Sequence, residues 1–491
     1  MDAVTLENQF ESHLSTWRED EKAALELLKI VGELRFDRGV EIILFRRNIY
    51  DARPTEVIND HLFAKNYAKQ PINMQMSLEI VKAIAQLDLA PARIDIGKLA
   101  LNWLNSDQEL DMIHFVSSEL SQFIGSEAKK AKTIEPRDVV LYGFGRIGRL
   151  AARCLIEMMG KGEQLRLKAI VVRPKNKENP AEELNKRASL LRKDSIHGKL
   201  RGTVRVDEQN QQLIVNSCRV QVIFANSPED IDYLEYGIKD AILIDNTGAW
   251  RDKESLSRHL RPGIKQVLFT APGKGIKNIV HGINQKDLNF EEDTVFCAAS
   301  CTTNAIAPVL KVLHDNLGIN NGHLETIHAY TNAQNLLDNY NSKERRGRAA
   351  AVNMVITSTG AASAVSKVIP SLSGKLTGSA IRVPTPDGSL AVMTLNVENE
   401  TTIEKLNEMM RHASLYGDLI EQIKYSTSKE FVSTDVIGTS AASVFDAPAT
   451  QVSADGKTVT VYVWYDNEYG YTRQVLRLAK YAAQVRRYRY Y

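Results

Sequence analysis

Apolar positions recur at helical spacing through the first part of the chain. Leu6, Phe10, Leu14 and Trp17 share one helical face, and Ala24, Leu27, Leu28 and Val31 share another. Leu78, Val81, Ala85 and Leu89 repeat the pattern before Pro91 interrupts it. These stripes predict a helical unit over residues 1–136. The polar stretch Gly125–Asp138 is the best linker candidate. His13, His61 and His114 are scattered without metal-ligand spacing and read as structural or exposed.

The pattern changes at Asp138. Short apolar runs at Val139–Leu141, Leu165–Val172, Val220–Phe224, Ala241–Ile244 and Gln266–Phe269 alternate with helical or loop segments. That alternation predicts a parallel sheet covered on both faces. Beyond Cys301 come an amphipathic helix and longer β segments at Ile381–Val383, Ser389–Val397 and Thr458–Trp464, the texture of a second, α+β domain. Pro308 should lie near the first turn of that helix or kink it.

A chain of 491 residues exceeds one ordinary core, and 43% hydrophobic with 25% charged residues describes a folded chain, not a disordered one. No apolar run is long enough to span a bilayer, and the acidic, amphipathic start does not read as a secretory signal. Four cysteines without CxxC spacing make no disulfide framework, so a reducing cytoplasm is expected. A net charge of +2 excludes a chain-wide electrostatic nucleic-acid binder. The charge is uneven, with −6 over residues 1–136 and +8 over the remainder. A basic second unit suits small anionic ligands.

Gly143, Gly145 and Gly148 form G-x-G-x-x-G directly after a strand and at the start of a helix. The first allows a tight turn, the second lets a pyrophosphate reach the backbone, and the third lets helix and strand pack closely. Dinucleotide binding follows. The second strand ends at Arg173 where NAD sites usually carry an acidic residue, and Arg173, aided by Lys175 or Lys177, suits a 2′-phosphate. NADP is therefore favoured over NAD. Cys301 begins a helix within ASCTTN, where the helix dipole and backbone N–H groups favour a thiolate. His328 is a candidate proton acceptor, although spacing alone does not bring it to Cys301. Thr359 and Gly360 lie in a small-residue turn, Arg382 in an apolar strand, and Arg346 in a basic cluster, all anion-site candidates.

Taken together, GFGRIGR (143–149), KDSIHGKL (193–200), ASCTTN (299–304), HAYTNAQ (328–334), STGAA (358–362), RVPTP (382–386) and YDNEYGYT (465–472) give residues 137–480 a plain resemblance to phosphorylating glyceraldehyde-3-phosphate dehydrogenase. The resemblance implies a Rossmann-type doubly wound NAD(P)-binding domain over 137–300, completed by 467–491, and an α+β catalytic domain over 301–466. It implies oxidation of D-glyceraldehyde 3-phosphate with inorganic phosphate, in glycolysis or gluconeogenesis, through a thioester on Cys301 with His328 as base. Cofactor contacts would come from Arg146, Ile147, Thr247, Gly248, Thr270, Asn467 and Tyr471. Thr331 and Arg382 would hold the substrate phosphate. Ser300, Thr302, Thr359, Gly360 and Arg346 would bind the attacking phosphate or shape its site. A homotetramer, with no metal, membrane or nucleic-acid partner, is also implied.

The sequence departs from the family pattern at Tyr142, Arg173, Cys297-Ala298, Ala305 and Asn332-Ala333. None removes the nucleophile, the base or the phosphate arginine. Two rivals remain at this stage: oxidation of a longer aldose phosphate such as erythrose 4-phosphate, and a regulatory or scaffolding role carried by residues 1–136. A redox-signalling use of the reactive cysteine is a further possibility.

Overall fold

Helix stripes and strand runs resolve into two units, the first holding residues 1–135, 160–163 and 486–491, the second the rest. The computed structural model describes residues 3–68, 71–176 and 178–491; Lys177 and the side chain of Leu6 lie outside the described residues.

In the first unit a long helix, Ala3–Arg38, buries Leu27, Val31 and Leu34 against Val81 and Ile84 of the helix Met74–Gln86. The stripe near its start is not buried, since Phe10 and Trp17 are exposed. His61 is structural: its Nδ1 lies 2.7 Å from the Val57 carbonyl and its Nε2 2.7 Å from Ser77 Oγ. The helices enclose a small sheet that periodicity did not reveal, ordered Arg47–Asn48, Glu41–Leu44, Ala92–Asp95 and Tyr488–Tyr490. Its strands are two to four residues long, too short for an alternation to register.

That sheet corrects one boundary. Residues 467–491 were expected to complete the cofactor domain as a block. The helix Tyr469–Ala482 does belong to the second unit, but residues 486–491 go to the first, where Tyr488–Tyr490 pairs in parallel with Ala92–Ile94. The expected linker is also shorter: Gly125–Ala131 is helical and the first strand of the second unit begins at Arg137.

The second unit carries two large sheets. The first orders Lys277–Asn278, Val295–Cys297, Ile264–Phe269, Ala241–Asp245, Arg137–Tyr142, Leu165–Val172 and Cys218–Phe224 in parallel, then adds Gln212–Val215 and Val204–Asp207 antiparallel. Helices such as Arg146–Glu157 serve as crossovers, giving the doubly wound α/β arrangement. The second sheet is mixed and ordered Val355–Thr357, Leu376–Val383, Ile319–Ala329, Ser389–Val397, Thr458–Tyr465, Ser443–Asp446 and Ile423–Ser426. Between the sheets in sequence lies the helix Cys301–Leu317. Pro308 sits inside that helix, beyond its first turn. Interior proline costs about 3 kcal/mol; fully buried Ala305, Ile306, Ala307, Val309 and Leu310 on either side offset it. Among the described residues no helix is long and apolar enough to cross a membrane.

Candidate active site

The parallel sheet builds one end of the site. Tyr142 and Asp245 end neighbouring strands in register, so the loops that leave them meet. Ligands of open parallel sheets bind past these carboxyl ends. Gly143 turns the chain with φ +94°, and a Cβ on it would meet Thr247 Cγ2 at 2.9 Å. Gly145 caps the helix Arg146–Glu157 and a Cβ there would meet open space, which leaves the helix N–H groups approachable by a phosphate. Gly148 answers to packing instead, because its Cβ would lie 2.2 Å from the Gly143 carbonyl oxygen. Gly148→Ala is expected to destabilise the protein by about 1–3 kcal/mol through overpacking; an unchanged Tm would count against this.

Asp245 organises the neighbouring loop. Its Oδ1 accepts hydrogen bonds from Thr247 N and Oγ1, both at 2.7 Å. Its carbonyl accepts from Thr270 N at 3.0 Å and Thr270 Oγ1 at 2.9 Å. Gly248 follows with φ +65°. Arg146, expected to serve the cofactor from the glycine loop, is engaged elsewhere: it donates to both Asp194 oxygens, at 3.1 and 3.2 Å, and to Glu468. Ile147 is partly buried beside it. Asp194 and Glu468 were in motifs quoted above, but sequence gave no sign that they hold Arg146.

Arg173 is exposed where the strand Leu165–Val172 ends. Glu183 closes that loop by accepting from Lys175 N (2.8 Å) and Asn176 N (2.9 Å) and pairing with Arg187. This carboxylate is committed to its own loop. The Tyr142 phenol, pushed up to about 12 by burial and then by Asp245, is opposed by the Arg173 charge, which places that cation in electrostatic reach of the strand ends. Tyr142 itself is buried against Trp250 and His259.

The nucleophile candidate sits where the strand Val295–Cys297 hands over to the helix Cys301–Leu317. Ala299 takes φ +52°, a conformation costly to a residue with a Cβ. It is held by Tyr471 Oη, which donates to the Ala299 carbonyl at 3.1 Å, and by Asn304 Nδ2, which donates to the Ala298 carbonyl at 2.8 Å. Ser300 caps the helix, its Oγ accepting from Thr303 N at 3.0 Å. Cys301 is the first helical residue.

Sheet register brings the remaining groups together. His328 and Arg382 are direct partners on adjacent parallel strands. His328 Nε2 lies 3.5 Å from Cys301 Sγ, the meeting that spacing alone did not establish. The Arg346 guanidinium bonds Thr357 Oγ1 at 2.9 Å, and its charge is felt by both His328 and Arg382. Thr359 Oγ1 accepts from Ala361 N at 3.1 Å, Gly360 caps the helix Ala361–Val368, and Thr331 is exposed just past the His328 strand. Thr302 is turned to support: its hydroxyl bonds Tyr465 Oη at 3.1 Å, and that phenol also bonds Thr326 Oγ1 at 2.7 Å. The Tyr465 ring packs edge-on against His328, 5.8 Å between centroids.

Ser389 and Tyr465 are supporting residues to which motif reading assigned no role, although Tyr465 opens the YDNEYGYT stretch. Ser389 Oγ accepts from Ala329 N at 3.1 Å and donates to Asn467 Oδ1 at 2.6 Å. With its oxygen thus occupied, Asn467 keeps its amide N–H groups for a ligand carbonyl. The residues therefore fit a nicotinamide dinucleotide: an open Gly145 cradle at one end and a pre-oriented amide donor at the other.

Opposing effects act on the sulfur. Helix-mouth placement suggested a thiolate at rest, but burial pushes the Cys301 thiol up, and Arg382 and the Thr302 and backbone hydrogen bonds oppose this without reversing it. His328 is pushed down to about 3, first by burial and then by the Arg382 charge. Accordingly, the rate of Cys301 alkylation by iodoacetamide should keep rising above pH ~8.5, the ordinary thiol value; a plateau below pH 7 would contradict it.

Comparison with known proteins agrees with this geometry. Residues 137–253 match the model for the glyceraldehyde 3-phosphate dehydrogenase NAD binding domain, and residues 300–467 match that for the C-terminal domain of the same enzymes. A glyceraldehyde-3-phosphate dehydrogenase-like protein of Pseudomonas aeruginosa is 48% identical over 463 residues, 94% of this chain and 98% of that protein. That alignment reaches into the first unit. The glyceraldehyde-3-phosphate dehydrogenases of Clostridium pasteurianum and Geobacillus stearothermophilus are 41% and 39% identical, over 71% and 70% of this chain and 98% of each of theirs. With both domain models matched in order and the cysteine, histidine and arginine converging as they do, the chain belongs to the glyceraldehyde 3-phosphate dehydrogenase family.

Proposed function

We propose that the protein oxidises D-glyceraldehyde 3-phosphate to 1,3-bisphosphoglycerate with inorganic phosphate and NAD(P)+, through a thioester on Cys301. The observation that carries this reading is the 3.5 Å approach of Cys301 Sγ to His328 Nε2, with Arg382 beside the imidazole. As Sγ bonds the aldehyde carbon, its proton passes to Nε2 and from there to the aldehyde oxygen, giving the hydroxyl of a hemithioacetal and leaving Nε2 bare again. A bound nicotinamide supplies a hydride acceptor. His328 takes the hydroxyl proton as the hemithioacetal is oxidised to the thioester. Phosphate oxygen then attacks the acyl carbon, the C–S bond breaks, and the acyl phosphate leaves. Arg382 and Thr331 hold the substrate phosphate; Arg346, Thr359 and Gly360 hold the attacking one, with Ser300 and Thr302 shaping the turn around the sulfur. Asn467 donates to the nicotinamide carboxamide.

Residues 137–300 serve as the cofactor domain and 301–466 as the catalytic domain in this reading. We assign the chain to a cytoplasmic homotetramer. The exposed apolar run Leu336, Leu337, Tyr340, Val352, Met354 and Ile356 is the kind of patch that subunit contacts cover. Arg173 favours NADP: Arg173→Ala is expected to raise KM for NADP+ about tenfold or more, the scale of one charge-assisted contact, with KM for NAD+ nearly unchanged. Equal effects on both cofactors would remove that assignment. The reading as a whole is tested by steady-state assays with both cofactors, with and without phosphate, on triose and erythrose phosphates. Turnover independent of phosphate, or a preference for the four-carbon aldehyde, would overturn it.

A further inference from the structure

Along the strand Ser389–Val397 the inward positions are Ser389, Ala391, Met393, Leu395 and Val397, all buried. Ser389 alone brings a hydroxyl into that apolar row, and it is fully enclosed. Such a hydroxyl is costly unless it is hydrogen-bonded. Register places it between two strands that serve the site. Ser389 is the cross-strand partner of Tyr465, two residues before Asn467, and the adjacent Leu390 pairs with Ile327, next to His328. Its Oγ accepts from Ala329 N at 3.1 Å and lies 2.6 Å from Asn467 Oδ1.

These two bonds give the hydroxyl a direction. The Ala329 N–H can only donate, so it takes an oxygen lone pair and leaves the hydroxyl proton for Asn467. At 2.6 Å the second contact has O–H···O length. It is shorter than the roughly 2.7–3.2 Å of an N–H···O bond, so the amide presents its oxygen to Ser389 and leaves Nδ2 for another partner. The backbone around Asn467 is held on both sides. Asp466 Oδ1 accepts from Glu468 N at 2.9 Å and Tyr469 N at 2.6 Å, and its Oδ2 accepts from Gly438 N at 2.7 Å. Glu468 in turn bonds Arg146. The freedom left to Asn467 is a half-turn of its amide, which exchanges donor for acceptor at nearly the same shape.

We infer that Ser389 is a positioning residue that sets cofactor specificity: by holding the Asn467 amide oxygen it keeps Nδ2 as the group offered to the cofactor, so the site reads the carbonyl of the carboxamide and not its amino half. This deepens the reading proposed above and rests on its assignment of Asn467 to the carboxamide. A thionicotinamide ring keeps the amino group but replaces the carbonyl by sulfur, a weak acceptor, so the locked amide discriminates against it. An acetylpyridine ring keeps the carbonyl and has no N–H, so the locked amide accepts it. Without the Ser389 hydroxyl the amide can turn its oxygen to the thioamide N–H, and the discrimination fades.

The test is equilibrium titration of the full-length protein with three dinucleotides carrying nicotinamide, thionicotinamide or 3-acetylpyridine, in the NAD or NADP series, whichever binds more tightly. Wild type should bind the thio analogue about tenfold more weakly than the natural cofactor, the scale of one net hydrogen bond, and the acetyl analogue within about threefold. In Ser389→Ala the thio discrimination should fall to about twofold, the statistical cost of choosing one of two amide orientations. A purely structural role would weaken all three dinucleotides alike and leave their ratios at the wild-type values. That result overturns the inference, as does a wild-type protein that binds the thio analogue as tightly as the natural cofactor. Ser389→Cys, nearly the same size and only a weak donor, carries the same expectation if the alanine variant does not fold. Asn467→Ala separates the two levels of the argument. If it weakens the natural cofactor while Ser389→Ala keeps the wild-type ratios, Ser389 loses its role and the Asn467 assignment stands. If it leaves the natural cofactor's Kd unchanged, the Asn467 assignment falls and the inference with it.

Discussion

Cys301→Ala is expected to reduce oxidation of the triose phosphate by at least about 10⁴-fold, because removing the nucleophile of a coupled nucleophile–base pair costs nearly everything the pair supplies. Dinucleotide affinity should be unchanged, since the glycine loop, Asp245 and Asn467 are all built without the sulfur. Mass spectrometry of wild-type enzyme quenched during turnover should show an acyl adduct on Cys301, and the alanine variant none. His328→Asn should cost less, on the order of 10²–10⁴, as proton transfer alone is lost. An alanine variant running within tenfold of wild type would end the thioester reading. Sγ and Nε2 are 3.5 Å apart, so the proton can pass between them directly.

What the sequence disclosed was local, and what it hid was made by register and burial. Gly143 to Gly148 could be read because a strand, a tight turn and a helix start are written within a few residues. Cys301 could be read as a helix-mouth residue for the same reason. The burial that pushes its thiol up could not, since that comes from the walls around it and not from the helix alone. The pairing of His328 with Arg382 is invisible across 54 residues of chain, and only the parallel register of their two strands produces it. Ser389 and Tyr465 are likewise brought to the site by strand pairing, being cross-strand partners of one another. In the first unit the stripe at Ala24–Val31 was reliable because a sheet and a second helix cover it. The equivalent stripe at Phe10 and Trp17 meets no cover and stays exposed, a reminder that periodicity reports a face but not its partner. Tyr488–Tyr490 went unseen because three residues carry no pattern, and because its partner strand lies almost 400 positions earlier.

Asp387→Asn should make the protein more stable, and increasingly so as pH rises. Asp387 is 2% exposed. One oxygen accepts from Gly388 N at 2.8 Å, while the other finds no hydrogen-bond donor and lies 3.4 Å from His197 Nε2. Burial first, and the Asp466 and Glu468 carboxylates next, push this acid well above the usual carboxylate range. The contrast with its neighbours is instructive: Asp194, although burial raises it, is brought down to about 2 by the His197 and Ile196 backbone N–H groups and by Arg146. A carboxyl whose folded value exceeds its unfolded one holds a proton in the native state that the unfolded chain has released. Its contribution is therefore fully present below pH ~4 and is lost progressively as pH rises toward the folded value. Asparagine keeps the shape and cannot ionise, so the advantage of the variant should grow between pH 5 and pH 8 by up to about 4 kcal/mol, three pH units at 1.36 kcal/mol each. Thermal denaturation across that range reads it directly, and repeating the series in a His197→Gln background separates the imidazole that faces the same oxygen. A Tm difference that is flat with pH, or that favours aspartate at pH 8, would show that Asp387 is ionised and paired in the native protein.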